Sequence, residues 1–149
     1  MINLCSGWEF AESWSEELLH GGGETVAVRL PHSVKETPLH YAGPGNYEGV
    51  YGYRRALEIP KKLRGKRLFL QFDGAAHICE VFVNGVKCAE HRNGYTAFRT
   101  EITDLVEAGG ENTVCVRLDS TENGAVPPFG FVIDYLTYGG LYREVRLEF

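Results

Sequence analysis

Glu144-Val145-Arg146-Leu147-Glu148-Phe149 alternates charged and apolar side chains one by one. Successive side chains of an extended strand point to opposite faces, so this stretch reads as a half-buried strand. Val145, Leu147 and Phe149 face a core, and Glu144, Arg146 and Glu148 face water. The same period recurs upstream in Val26, Val28 and Leu30; in Tyr51, Tyr53, Leu57 and Ile59; in Leu68, Leu70 and Phe72; and in Val114, Val116 and Leu118. Turn-forming residues separate these runs: Gly21-Gly22-Gly23, Gly43-Pro44-Gly45, Asn84-Gly85, Asn93-Gly94, Gly109-Gly110, Asn123-Gly124 and Pro127-Pro128. Many short strands with frequent turns predict an all-β sandwich or barrel.

Helix is scarce. Ser13 to Leu19 carries a Ser13-x-x-Glu16 capping pattern that predicts a short helical turn. A single turn around Thr103 to Glu107, capped by Thr103 or Asp104, is the other candidate. The clearest hairpin runs from Glu80 to His91, where Val81 and Val83 lead into Asn84-Gly85, a pair suited to the positive φ of a type I′ turn. That turn sets Val81 opposite Cys88, with Cys79 a diagonal neighbour on the same face. A Cys79–Cys88 disulfide is conceivable, and two buried free thiols are the preferred reading.

With 149 residues, the chain has the size of one domain over residues 1–149 and one core. Hydrophobic residues at 44% and charged residues at 23% are the balance of a globular protein, not of a disordered one. A formal net charge of −5 argues against a nucleic-acid partner. The basic run Lys61, Lys62, Arg64, Lys66 and Arg67 lacks interleaved aromatics and reads as a solvated turn. The first ten residues show no secretion signal, and no apolar run is long enough to span a bilayer. The expectation is therefore a cytoplasmic chain with no membrane partner. Cys5, Cys79, Cys88 and Cys115 lack metal-ligand spacing with the histidines, so neither metal nor cofactor is expected.

No G-x-S-x-G elbow and no phosphate-binding loop occurs, and the many carboxylates fall mostly at outward strand positions or in turns. No catalytic residue is assigned. His32 and His40 read as loop residues. Asp134 stands apart, because Phe129, Phe131, Val132, Ile133, Tyr135, Leu136 and Tyr138 surround it in sequence. A carboxylate there needs a partner or a cavity. An acceptor for loop amides and a ligand-facing group fit the composition equally.

Several segments, taken in order, carry a resemblance: Leu30-Pro31-His32, Tyr53-Arg54-Arg55, Ile59-Pro60, Gly65 to Gly74, Val81-Phe82-Val83-Asn84-Gly85, His91 to Phe98, Glu111-Asn112 and Gly139-Gly140-Leu141-Tyr142-Arg143-Glu144-Val145. Together they resemble the sugar-binding domain that opens the β-galactosidases and β-glucuronidases of glycoside hydrolase family 2. The resemblance implies a galactose-binding-like jelly-roll β-sandwich, packed against a separate (β/α)₈ barrel that holds the catalytic glutamates. It implies that Asp134, five residues before Gly139, binds hydroxyls of a terminal β-linked sugar. Asn46, Tyr47 or Glu48, from the loop between His40 and Tyr51, assist at the same edge. Tyr95 and Phe98 are expected to pack the sandwich and not to stack on a sugar. The opening Asn3 to Phe10 follows the family pattern loosely, and the sugar itself is not specified. A free-standing carbohydrate-binding module and a purely structural bracing domain are the alternatives.

Overall fold

A computed structural model describes residues 1–36, 39–40, 43–129 and 137–149. The described residues form ten strands: β1 (Ile2–Asn3), β2 (Trp8–Ala11), β3 (Val26–Val28), β4 (Val50–Ala56), β5 (Phe69–Phe72), β6 (Ile78–Val83), β7 (Val86–Arg92), β8 (Phe98–Glu101), β9 (Thr113–Asp119) and β10 (Val145–Glu148). They form two antiparallel sheets, one in the order β1-β10-β5-β8 and one in the order β3-β2-β4-β9-β6-β7. This is the all-β jelly-roll sandwich that the alternation and the resemblance predict. The core lies between the sheets, where Leu70, Phe72, Val145 and Leu147 of the smaller sheet share one cluster with Trp8, Tyr53, Val81, Val83, Val116 and Leu118 of the larger.

The sandwich is also stitched along a side. The Thr100 hydroxyl donates to the Cys88 carbonyl at 2.9 Å, and Phe98 stacks on Phe72 at 4.9 Å and on His91 at 4.4 Å. Phe98 thus packs the fold as expected.

β4 departs from simple alternation, because Tyr51, Gly52, Tyr53 and Arg54 are buried in succession. The cause is a 3-10 turn at Glu16–His20 that lies over the outer face of the larger sheet and buries Leu18. Arg54 reaches under this turn. Its Nε donates to Glu9 at 2.8 Å, and its Nη1 donates to the carbonyls of Gly22 at 2.8 Å and Leu18 at 3.4 Å. The turn is capped by Ser15, whose hydroxyl accepts from the Glu17 amide at 3.2 Å, and not by the predicted Ser13. The Thr103–Leu105 turn has no side-chain cap. Thr103 instead uses its hydroxyl to accept from the Leu68 amide and to donate to Glu101.

Asn84 and Gly85 have φ of 49° and 80°, as a type I′ turn needs. The register beyond it differs from the prediction. Phe82 pairs with Lys87, but Val81 pairs with Ala89, so Cys88 is the extra residue of a β-bulge and Cys79 faces His91. All four cysteines are free; Cys79 is buried and Cys88 half-buried. Two ends of the alternating pattern are also less buried than predicted. Val26 on the edge strand β3 is 60% exposed, and Phe149 lies just past β10 in solvent. The basic run forms an exposed turn between β4 and β5, with Arg67 paired to Glu101 at 2.8 Å.

Candidate functional site

Loops from four connections converge at one end of the sandwich and lock together through their backbones. The His32 amide donates to Leu141 at 2.9 Å, Val34 to Gly139 at 3.0 Å, Ala76 to Gly140 at 3.1 Å, His77 to Asp119 at 3.0 Å and Gly94 to Pro127 at 2.8 Å. Gly139 and Gly140 are required by this convergence. A Cβ on Gly139 would come within 2.6 Å of Ser120 Cβ. One on Gly140, whose φ is +135°, would come within 2.3 Å of the His32 carbonyl oxygen.

Beneath the rim, Tyr53 is fully buried and its hydroxyl lies 2.8 Å from His32 Nδ1, while the Leu141 amide points at the same oxygen from 3.4 Å. A neutral ring with an unprotonated Nδ1 can accept the hydroxyl proton in this arrangement. Burial lowers the His32 pKa and favours that neutral ring, and it raises the Tyr53 phenol.

Tyr47 is 1% exposed. Its ring stands edge-on to Tyr138 at 4.9 Å, and its carbonyl accepts the Ser120 hydroxyl at 2.5 Å. Tyr47 thus supports Tyr138 from behind. Glu48 is exposed, with its amide bonded to the Gly45 carbonyl at 3.2 Å, and it borders a shallow hollow with Glu12, Lys35 and Arg117. Asn46 is exposed on the same 3-10 turn, Pro44–Tyr47. Asp134 lies outside the described residues; both flanks of its segment are described and anchored. On one side Pro127 accepts from Gly94, and Glu122 accepts a short hydrogen bond from the Thr137 hydroxyl. On the other, Thr137 leads into the pinned Gly139-Gly140 pair.

Sequence reasoning misses two parts of this rim. The first is His77, 1% exposed, whose ring nitrogens make no well-formed hydrogen bond among the described residues. Burial pushes its pKa down, and the carbonyls of Thr121 and Tyr138 and the carboxylates of Glu122 and Asp119 oppose that shift. The second is a hollow lined by Ala76, Gly94, Tyr95, Pro128, Thr137, Tyr138 and Tyr142. Tyr95 is 49% exposed and faces this hollow, a correction to its expected place in the core. The repeated tyrosines of Tyr138 and Gly139-Gly140-Leu141-Tyr142 were the available signal, but alternation cannot say which rings share a wall. Among the described residues, no group of three or more His, Cys, Asp or Glu is placed to hold a metal ion.

Residues 13–148 match the family model described as glycosyl hydrolases family 2, sugar binding domain. The chain is 42% identical over 147 residues to a beta-glucuronidase of Bacteroides fragilis, covering 98% of this chain and 20% of the relative. It is 40% identical over 150 residues to a beta-galactosidase of Thermoanaerobacterium thermosulfurigenes, covering 99% and 21%. The solved beta-glucuronidase of Bacteroides uniformis superposes with a TM-score of 0.83 at 26% identity, over 97% of this chain and 17% of that one. A glycosyl hydrolase family 2 member from Bacteroides cellulosilyticus gives 0.80 at 26%, over 98% and 20%. The chain thus spans about a fifth of the length of the relatives it matches.

Proposed function

Because the chain belongs to the sugar-binding domain family of the family 2 glycosyl hydrolases, we propose that it forms one edge of the substrate pocket of a longer retaining exo-β-glycosidase. Bond cleavage is carried out by a catalytic barrel elsewhere in that polypeptide. The substrate is a terminal β-linked galactoside or glucuronoside. Asp134 accepts hydrogen bonds from two adjacent sugar hydroxyls, a geometry-specific use of a carboxylate. Glu48 assists from the neighbouring exposed loop, and Tyr47 holds Tyr138 in place.

The observation that carries this reading is the anchored rim. Its paired glycines, buried Tyr53 and Glu122–Thr137 bond fix both flanks of the segment bearing Asp134, which is the preorganisation a binding edge needs. The 149-residue chain should show no turnover of chromogenic β-galactosides or β-glucuronides; turnover abolished by one carboxylate substitution would reject the reading. In the full-length enzyme, Asp134→Asn should lower kcat/KM by about 10- to 100-fold, the loss of a charge-assisted hydrogen bond, with an unchanged melting temperature. Kinetics equal to the wild type would remove Asp134 from the pocket.

A further inference from the structure

The hollow between Tyr95, Tyr138 and Tyr142 has a volume of about 270 Å³, near the lower end of ligand pockets and large enough for one or two fused rings. Several polar groups of its wall are already committed. The Thr137 hydroxyl donates to Glu122, the Tyr142 hydroxyl donates to the Gly94 carbonyl at 2.5 Å, the Gly94 amide donates to Pro127, and the Ala76 and Gly140 backbones bond each other. What the hollow presents is largely C–H and ring surface. A pyranose pressed into it would surrender hydroxyl hydration with little return, whereas a flat apolar ring gives up no hydrogen bonds and gains aromatic contact.

Its position supplies the second half of the argument. Pro128 and Tyr138 flank the segment that carries Asp134, and Tyr138 follows Asp134 by four residues, at most about 14 Å of extended chain. On the reading that Asp134 grips the terminal sugar, this short covalent tether joins the sugar contact to the tyrosine wall. The floor is tight, since a Cβ on Gly94 would meet Pro128 Cδ at 2.6 Å, and Tyr47 backs Tyr138 edge-on. We propose that this tyrosine-walled hollow is the subsite for a planar, apolar aglycone. The assignment rests on the reading of Asp134 as the sugar-gripping residue, and it adds a preference for aryl over alkyl glycosides.

Saturation-transfer NMR on the 149-residue chain tests it, with phenyl and methyl β-galactosides, phenyl and methyl β-glucuronides and free phenol as probes. Saturation should concentrate on the phenyl ring, and phenyl glycosides should bind at least tenfold more tightly than methyl ones. Tyr138→Ala and Tyr95→Ala should each weaken phenyl glycosides by several fold or more, while Tyr138→Phe, which keeps the ring face, retains binding. Amide spectra of each variant verify the fold; Tyr95 and Tyr138 are both about half exposed. Equal affinity for phenyl and methyl glycosides, or phenyl binding indifferent to both alanine variants, overturns the subsite. If Asp134→Asn weakens the methyl glycosides while Tyr138→Ala leaves the phenyl ones unchanged, the sugar grip stands and the aryl subsite falls. If Tyr138→Ala weakens phenyl glycosides and Asp134→Asn weakens none, the aryl subsite stands and the sugar grip falls.

Discussion

His77 shows how one side chain couples the rim to solution pH. Its ring is buried with no well-formed hydrogen bond to either nitrogen among the described residues, and its pKa is lowered by desolvation against the pull of the Thr121 and Tyr138 carbonyls, Glu122 and Asp119. A histidine depressed in the folded state binds a proton more readily when unfolded. Stability is thus complete above the unfolded value near 6.5 and falls as pH drops below it, by up to about 1.4 kcal/mol per pH unit for one group. His32 and His91 are lowered by burial too and act in the same direction. Urea melts between pH 7.5 and 5.5 should therefore show falling stability, and His77→Gln should flatten the slope; an unchanged slope would show that His77 does not titrate in this window. Nothing in the sequence singled out His77. Its burial follows from loops meeting across more than forty residues, as in its amide bond to Asp119, and no local pattern encodes that. Asp134, by contrast, stood out as a charge in an aromatic run.

At the scale of elements, the strands were legible wherever a single face is buried, as in β10 and β6. β4 was not, because the Glu16–His20 turn covers its second face and the period-two signal vanishes there. The cost of that cover is visible at Gly52, where a Cβ would lie 2.3 Å from Leu18 Cδ1. Gly52→Ala should destabilise by about 1–3 kcal/mol through overpacking. Leu18→Ala should relieve the clash, so the double variant should be less destabilised than the sum of the singles. Additive denaturation midpoints would place the strain elsewhere. The Cys88 bulge was equally illegible, since counting outward from Asn84-Gly85 assumes a regular ladder. The extra residue shifts the pairing by one between Val81 and Phe82, and with it the expected Cys79–Cys88 neighbourhood.

Across the whole molecule the two sheets share one apolar cluster, so their stability is joint. Leu147, fully buried on β10, packs in the cluster that also holds Val116 and Leu118 of the opposite sheet. Leu147→Ala should cost about 2–5 kcal/mol and lower Tm by roughly 5–15 °C in one cooperative transition. Two separated transitions in calorimetry would mean that the sheets melt independently. This level of organisation was the most legible of the three: alternation dictates two faces per strand, and that many half-apolar strands can be satisfied only by a second sheet. The pairing of the shortest strand has a mechanical corollary. Ile2 lies opposite Leu147 and Asn3 opposite Arg146 in antiparallel register, so the polypeptide enters and leaves side by side at one border. Tension applied through both ends peels that border rung by rung, like a zip, and never loads the rungs together in shear. Held between optical tweezers, the module should yield at low force and start with the loss of β1.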